Sequence, residues 1–402
     1  MSNLWRASFW VLLGGSLILA LSLGIRHGFG LFLAPMSAEF GWGRETFAFA
    51  IALQNLIWGL AQPFTGAVAD RFGALRVVII GGLLYALGLL LMGLSDSALS
   101  LSLSAGVLIG IGLSGTSFSV ILGVIGRAVA PEQRSMAMGI AAAAGSFGQF
   151  AMLPGSLGLI SWLGWSAALL VLGLMAALIV PLAAMLKDRP LPPQEGEQKL
   201  IEALREACGH SGFWLLALGF FVCGFQVVFI GVHLPAYLVD QHLPALVGTT
   251  VLALVGLFNV FGTYIAGWLG GRMSKPRLLT ALYLLRTAVI VAFVYSPLTV
   301  WSAYAFGVAM GLLWLSTVPL TNGTVATLFG VRNLSMLGGI VFFFHQIGSF
   351  LGGWLGGYVY DKTGSYDLIW QISIGLGLVA AVLNWPVREQ PVARLQAAGS
   401  AA

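Results

Sequence analysis

Cationic side chains interrupt several long apolar stretches of this sequence, whereas carboxylates do not. Arg26, His27, Arg286 and His345 lie inside such stretches, and the 14 acidic residues fall near their ends or between them. An arginine binds a carboxylate through two parallel hydrogen bonds, and a histidine gains or loses a proton near neutral pH. A cation, or a proton carried on an acid, would instead need carboxylates at this depth. The residue types therefore predict an anion-binding site.

Polar and aromatic residues at similar depth complete the predicted site. The expected anion contacts are Arg26, His27, Asn55, Ser117, Gln226, Asn259, Thr263, Trp314, His345 and Gln346. Protons are expected on His27 and His345, because the apolar stretches offer no acidic carrier. For Arg286 two interpretations stay open: an anion contact, or hydrogen bonds to carbonyl groups of neighbouring helices.

The sequence lacks the motifs of common catalytic and ATP-driven sites. It has no glycine loop ending in Lys-Ser or Lys-Thr, no His-Glu-x-x-His and no Gly-x-Ser-x-Gly. Its two cysteines, Cys208 and Cys223, suit neither a disulfide framework nor a metal site, and we interpret them as small apolar fillers. We expect no enzymatic activity, no cofactor and no metal ion.

The elements that must position these residues follow from composition. Hydrophobic residues make up 58% of the 402 residues and charged residues 8%, whereas a soluble domain has about 25% charged residues. A transmembrane helix needs about 20 mostly apolar residues. The predicted spans, numbered 1 to 12, are 8–35, 45–67, 75–95, 98–127, 135–160, 164–186, 212–238, 246–270, 277–296, 299–327, 333–358 and 366–386. We therefore expect an all-α membrane protein with 12 transmembrane helices.

The positions of the basic residues predict the orientation of these spans. Of the 19 lysines and arginines, only Arg44 and Lys362 fall in loops that would be external if the N-terminus is internal. Arg26 and Arg286 lie within spans, and the remaining 15 fall in internal segments. Cytoplasmic loops are enriched in basic residues. We therefore expect a multi-pass protein of the inner (plasma) membrane with both termini in the cytoplasm, in contact with lipid and not with nucleic acid.

A polar segment divides the chain between spans 6 and 7. Residues 187–211 contain three prolines and many charges, which is typical of a linker. The part from Gln198 to Ala207 has the pattern of an amphipathic helix lying on the membrane. We expect an N-terminal six-helix bundle at 1–186, a cytoplasmic linker at 187–211, and a C-terminal six-helix bundle with a short tail at 212–402.

The loop after span 2 carries a specific motif. Residues 66–73 read GAVADRFG, and this segment resembles the signature loop between helices 2 and 3 of the major facilitator superfamily. The resemblance implies two parallel six-helix repeats. It also implies a gate formed by Asp70, Arg71, Arg127 and Arg332, with Arg127 or Arg332 as the partner of Asp70. The equivalent loop after span 8 has two glycines in place of the acid, so we expect the gate to be asymmetric.

A second segment narrows the resemblance. Residues 130–148, APEQRSMAMGIAAAAGSFG, resemble the start of helix 5 in the branch of monocarboxylate transporters and oxalate–formate exchangers, and residues 30–42 are similar to its helix 1. In that branch a helix-1 lysine contacts the substrate, and it aligns with His27. An Asp-x-x-x-Arg pair in helix 8 aligns with Asn259 and Thr263. These neutral residues can hydrogen-bond a ligand or a neighbouring helix, and both interpretations stay open.

The residues and the resemblance together favour one function. We expect a monomeric secondary transporter of a small organic anion, such as a mono- or dicarboxylate, coupled to a proton or to a counter-anion. Alternating access would move residues 1–186 against residues 212–402. Two alternatives remain: an exporter of a neutral or amphipathic drug or metabolite with the same fold, and a membrane receptor that transports nothing. An exporter of neutral solutes would differ from an anion transporter in the charge of the compounds that it transports. A receptor would bind its ligand without counterflow.

Overall fold

The computed structural model describes residues 3–42, 44–186 and 198–400. Within these ranges every regular element is a helix. Contacts divide the chain into two units. The first contains residues 1–131, 144–198 and 331–343, and the second contains residues 132–143, 199–330 and 344–402. Two long helices therefore begin in one unit and continue in the other.

The helices follow the hydrophobic runs of the sequence. In the first part of the chain they are α1 (Asn3–His27), α2 (Leu33–Phe40), α3 (Arg44–Phe72), α4 (Ala74–Gly93), α5 (Ala98–Leu101), α6 (Ile109–Thr116), α7 (Phe118–Ala128), α8 (Arg134–Ala177) and α9 (Ile179–Ala183). Further along they are α10 (Leu200–Cys208), α11 (Ser211–Asp240), α12 (Ala245–Gly270), α13 (Lys275–Tyr295), α14 (Val300–Leu313), α15 (Thr317–Phe329), α16 (Leu334–Thr363), α17 (Asp367–Asn384) and α18 (Ala393–Ser400).

Ten stretches of the described residues are long and apolar enough to cross a membrane. They account for eleven of the predicted spans, because residues 131–183 contain spans 5 and 6 in succession. Gly164 separates these two spans with φ 80° and ψ 164°, a conformation that glycine adopts readily and other residues avoid. Span 2 is helix α3, whose buried amides make it less apolar than the others. The fold is the predicted all-α arrangement.

Three spans are interrupted close to the predicted site. In span 1, α1 ends at His27 and a 3₁₀ helix occupies Phe29–Phe32. In span 4, Ser117 is extended between α6 and α7, with φ −111° and ψ −168°. In span 10, α14 ends at Leu313 and α15 begins at Thr317. Spans 4 and 10 were predicted as continuous helices, and that prediction was wrong at these two points.

Each unit contains the same tyrosine contact at equivalent spans. In the first unit the Tyr85 hydroxyl in α4 donates to the Ser22 carbonyl in α1 at 2.9 Å. In the second unit the Tyr283 hydroxyl in α13 donates to the Gly219 carbonyl in α11 at 2.7 Å. Spans 3 and 9 are equivalent in a repeat of six spans, as are spans 1 and 7. The repeated contact supports the internal repeat that the motif implies.

Part of the predicted linker lies outside the described residues, namely 187–197. Helix α10 occupies Leu200–Cys208, close to the predicted amphipathic stretch. Ala203 and Ala207 are buried on one face of this helix, and Ile201 is exposed on the other. The division into bundles at 1–186 and 212–402 remains a prediction.

Candidate functional site

Arg26 is a half-buried cation in the last turn of α1. Its guanidinium donates to the Asn55 side-chain oxygen in α3, and its Cζ atom lies 5.0 Å from the centroid of the Trp58 ring. The Nε atom is buried and has no hydrogen-bond partner. Among the described residues no carboxylate pairs with this guanidinium. The first unit therefore holds an arginine whose contacts are neutral and whose hydrogen-bonding capacity is incompletely used.

A polar network on α3 and at the break in span 4 holds the Trp58 ring in place. The Trp58 indole N–H lies 3.0 Å from the Gln62 side-chain oxygen and 2.9 Å from the Ser117 hydroxyl. The Ser117 hydroxyl also donates to Gln62 at 2.9 Å. The Gln62 amide in turn donates to the Ser114 carbonyl at 2.7 Å, a carbonyl in the last turn of α6. The network thus stabilises the break, as buried backbone within a membrane requires.

His27 ends α1 and has one of its ring nitrogens engaged. Its Nδ1 atom lies 2.6 Å from the Leu23 carbonyl oxygen. A carbonyl only accepts, so Nδ1 carries the proton in the neutral ring and Nε2 is the acceptor. The side chain is half-buried. His27 therefore presents a proton-accepting nitrogen one residue beyond Arg26.

The contacts of Arg286 fit the interpretation in which its guanidinium hydrogen-bonds carbonyl groups of neighbouring helices. It is fully buried in α13, and its Nη2 atom donates to the carbonyls of Leu313 and Trp314 at 2.6 and 2.5 Å. Its Nη1 atom donates to the Gln226 side-chain oxygen at 3.3 Å. The guanidinium therefore satisfies carbonyls at the end of α14, where the helix break removes their usual partners.

Asn259, one of the two helix-8 positions, also contacts this break. The Asn259 side-chain oxygen accepts from the Leu315 backbone N–H at 2.9 Å, and the Thr263 hydroxyl donates to the Asn259 carbonyl at 2.8 Å. Both side chains are fully buried. The Asn259 oxygen thus makes an interhelical contact. A substrate role for Asn259 and Thr263 stays a prediction.

His345 and Gln346 lie in a buried polar cluster of the second unit. His345 Nδ1 lies 3.4 Å from the Gln346 side-chain oxygen and 3.4 Å from the Ser349 hydroxyl. The ring is also within hydrogen-bonding reach of the Cys223 thiol, whose sulfur lies 3.3 Å from the Thr317 hydroxyl. Cys223 was predicted to be an apolar filler, and this interpretation was wrong because the thiol belongs to the cluster.

Asp70 joins three segments of the first unit at the predicted gate. Its carboxylate pairs with Arg127 at 2.5 Å, and both side chains are almost fully buried. The same carboxylate accepts from the backbone N–H groups of Ser335 and Met336 at 3.2 and 2.8 Å. These groups begin helix α16, where free N–H donors and the helix dipole favour a negative charge. Arg127 is therefore the Asp70 partner among the two candidates.

Glycine is required where α3 meets the start of α16. A Cβ atom on Gly66 would lie 2.3 Å from the Ser335 carbonyl oxygen, so any side chain there would push the helices apart. The other two gate candidates lie at the edge of this contact: Arg71 is exposed above the Phe72 ring, and Arg332 is half-buried two residues before α16. The small residues of the motif thus set the helix separation.

The equivalent contact in the second unit has no acid. A Cβ atom on Gly267 of α12 would lie 2.6 Å from the Gly139 Cα atom, so the start of α8 packs on α12 as α16 packs on α3. Lys275, the first residue of α13, instead forms an ion pair with Glu389. The backbone N–H of Lys275 donates to the same carboxylate at 3.0 Å. Gly270 and Gly271 stand where the first unit has Asp70, and the asymmetry of the gate stays a prediction.

Replacing Arg286 by alanine is expected to destabilise the protein strongly. The change leaves two buried carbonyls and the Gln226 oxygen without their donor, and each unsatisfied group costs about 1–3 kcal/mol. The loss should appear as a fall of several degrees in apparent Tm in detergent. Arg205→Ala, at an exposed arginine on α10, is the control. Equal Tm values for the two variants would contradict a structural role for Arg286.

These helices and buried polar groups define a multi-pass membrane protein. The family model of the Major Facilitator Superfamily matches residues 12–329, and the chain belongs to this superfamily of transporters. It is 26% identical to the uncharacterised MFS-type transporter YcxA of Bacillus subtilis over 396 residues, covering 93% of this chain and 94% of that one. It is 28% identical to mouse monocarboxylate transporter 11 over 362 residues, covering 86% and 80%.

The fold has a solved counterpart. The Escherichia coli fucose:proton symporter FucP superposes with a TM-score of 0.70 at 15% identity, covering 93% of this chain and 97% of that one. This likeness confirms the fold. The family model confirms the predicted superfamily, and the chain is a transporter and not an enzyme. The likeness to monocarboxylate transporters is confirmed at low identity.

Proposed function

We propose that this protein is a secondary active transporter of a small organic anion, with a mono- or dicarboxylate as substrate. The observation that carries the proposal is Arg26, a half-buried cation without a carboxylate partner among the described residues. A cation inside a membrane segment faces a cavity or a partner. A substrate carboxylate supplies the missing negative charge through the free edge of the guanidinium.

The helix break in span 4 adds a second attraction for an anion. Helix α7 begins at Phe118, directly after the break at Ser117. The N-terminal end of a helix carries a partial positive charge, and broken helices present such ends to substrates in transporters. Trp58 contacts both Ser117 and Arg26. The anion site of the first unit is therefore proposed around Arg26, His27, Asn55 and Ser117.

The similarity to monocarboxylate transporters supports a carboxylate substrate but does not identify it. Monocarboxylate transporters share about a quarter of their residues with this chain. The charged pair of their helix 8 is replaced here by Asn259 and Thr263, so the substrate charge is assigned to Arg26. In the second unit Gln226, Trp314, His345 and Gln346 remain proposed contacts.

Coupling is proposed to use a proton or a counter-anion, with alternating access. His27 is the proposed proton carrier in the first unit, since its Nε2 atom accepts while Nδ1 is held by Leu23. His345 is the proposed carrier in the second unit. In symport the anion would bind Arg26 and the proton would bind the neighbouring His27. Each would then bind more strongly in the presence of the other.

Uptake into proteoliposomes tests the proposed function. A radiolabelled weak-acid carboxylate is compared with its neutral amide at an inward proton gradient and without it. We expect uptake of the carboxylate alone, faster with the gradient and reduced by His27→Ala. Equal uptake of both compounds would favour the neutral-solute exporter, and saturable binding without counterflow would favour the receptor.

Both termini are proposed to be cytoplasmic, in the inner membrane. The basis is the distribution of basic residues, of which Arg44 and Lys362 are the external exceptions. We expect a fluorescent C-terminal green fluorescent protein fusion and an inactive C-terminal alkaline phosphatase fusion. Phosphatase fused after His242, between α11 and α12, should be active. The reverse pattern would contradict the orientation.

A further inference from the structure

An apolar groove opens on the surface of the second unit, between α12, α13, α14 and α15. Its volume is 230 Å³. Leucines from every one of these helices line it: Leu269, Leu278, Leu282, Leu312, Leu313 and Leu320. Among its described lining residues only Ser316 has a polar side chain, and that hydroxyl donates to the Leu312 carbonyl at 2.7 Å. The groove therefore suits a hydrocarbon chain and gives a polar ligand nothing to bind.

The groove is accessible to the acyl chains of the bilayer. Its four helices form spans 8, 9 and 10, so hydrocarbon is the solvent at this depth. One end lies at the turn between α12 and α13, since Leu269 and Leu278 stand on either side of that turn. A chain that enters there would place its headgroup beside the turn.

Two exposed arginines stand at this end of the groove. Arg272 lies in the turn itself, two residues after the end of α12 at Gly270. Its Cζ atom is 4.0 Å from the centroid of the Trp268 ring, and its Nη1 atom lies 3.5 Å from the Trp268 carbonyl oxygen. Arg277 is exposed and directly precedes Leu278. The end of the groove is therefore cationic.

Lys275, the third basic residue near this turn, has its interaction partners within the protein. The Lys275 ammonium pairs with Glu389 and lies 3.4 Å from the Thr327 hydroxyl. The carboxylate of Glu389 is thereby neutralised and does not offset the two arginines. A phosphate can accept from two guanidinium groups at once, with charge-assisted hydrogen bonds.

We propose that this groove is a binding site for an anionic phospholipid. One acyl chain fills the leucine-lined part, and the phosphate is bound by Arg272 and Arg277. Anionic headgroups bind basic pockets between transmembrane helices on the cytoplasmic side. A zwitterionic lipid brings the same chain but adds a choline cation beside two arginines, so it binds less well.

The site also adjoins the helix break in span 10. Leu313 and Ser316 line the groove and flank the break between α14 and α15. The same break is held by hydrogen bonds from Arg286 and Asn259. A lipid in the groove therefore contacts the one segment of span 10 that lacks regular helical hydrogen bonds.

Photo-crosslinking in nanodiscs tests the proposal. Phosphatidylglycerol and phosphatidylcholine carry the same diazirine-bearing acyl chain, and labelled peptides are identified by mass spectrometry. We expect phosphatidylglycerol to label the segments around Leu278 and Leu312 at least fivefold more than phosphatidylcholine. In the double variant Arg272→Ala/Arg277→Ala the ratio should fall to about one, while Arg205→Ala, an exposed arginine on α10, should keep the wild-type ratio.

A second pair of variants separates the chain site from the headgroup site. Leu282→Trp fills the groove and should remove labelling by both lipids. Leu284→Trp, on the exposed face of the same helix, should leave labelling unchanged. Equal labelling by the two lipids in the wild type, or a preference that survives loss of both arginines, would overturn the anionic site. Labelling that survives Leu282→Trp would overturn the groove itself.

Discussion

Replacing Arg26 by alanine is expected to reduce carboxylate uptake about a hundredfold. The described partners of the guanidinium are the Asn55 amide and the Trp58 ring, so the substrate is its proposed counter-ion. Loss of one member of a desolvated charge pair costs about 2–5 kcal/mol, and about 3 kcal/mol corresponds to a factor of roughly 100. Initial uptake rates over a range of concentrations give kcat/KM for the comparison.

A variant at Asn55 tests the same idea without removing the arginine. Asn55→Asp is close in shape and places a fixed carboxylate on the guanidinium. The pair is then internally neutral, and the anion must compete with a permanent partner. We expect anion uptake to be lost while Tm stays equal to the wild type or rises. Wild-type uptake in Asn55→Asp would contradict the assignment of Arg26 as the anion-binding residue.

Arg26→Lys distinguishes charge from geometry. Lysine keeps the positive charge but offers no planar fork for a carboxylate. We expect uptake between that of the wild type and that of Arg26→Ala. Arg205→Ala, far along the chain on the exposed α10, controls for reconstitution and should transport normally. Identical losses in the lysine and alanine variants would show that the bidentate geometry carries the whole effect.

The sequence predicted the spans well because lipid imposes a simple rule. Every span must be apolar over about 20 residues and must satisfy its own backbone, and both demands are visible in composition. The boundary between spans 5 and 6 was predicted at residues 160–164, and the backbone leaves helical geometry at Gly164. Where a helix continues without a break, the local sequence is sufficient to predict the span.

The breaks in spans 4 and 10 were not predicted from the sequence. Their backbone groups are satisfied by side chains far away in sequence, such as Gln62 for Ser114 and Asn259 for Leu315. Neither Ser117 nor Leu315 is a strong helix breaker. A local pattern contains no information on a partner 52 or 56 residues away. The break in span 10 did have one local signal that the prediction did not use: Pro319, in the first turn of α15, cannot donate to the Leu315 carbonyl.

The candidate site was predictable residue by residue and not as a set of contacts. Arg26 and Asn55 were both singled out by type and depth, but the sequence did not pair them. Trp58 and Gln62 were missed, although Asn55, Trp58 and Gln62 repeat at helical spacing on one face of α3. Cys223 was missed because a lone cysteine in an apolar run is usually a filler.

Replacing Asp70 by alanine is expected to have the largest effect on stability of any single acidic substitution. The change removes the carboxylate that pairs with the almost fully buried Arg127 and leaves two N–H groups at the start of α16 without their acceptor. Breaking a buried pair by removal of one partner costs about 3–5 kcal/mol, and loss of a cap adds about 1 kcal/mol. The apparent Tm in detergent should fall by many degrees.

The chain contains a matched ion pair for comparison. Arg394 and Glu206 lie 3.3 Å apart in the second unit, and their side chains are 39% and 24% exposed. Exposed pairs contribute at most about 1 kcal/mol, so Glu206→Ala should change Tm by little. A fall in Tm as large as that of Asp70→Ala would show that burial does not decide the strength of these pairs.

A double-mutant cycle separates the charge pair from the helix cap. Asp70→Asn keeps an oxygen for the Ser335 or Met336 N–H but removes the negative charge, so it should lie between the wild type and Asp70→Ala. Arg127→Gln removes the buried cation. In Asp70→Asn/Arg127→Gln no unpaired charge remains, and we expect the double variant to be more stable than the sum of the two single losses predicts. Strictly additive losses would mean that Asp70 acts through the start of α16 alone, and that Arg127 is held by other contacts.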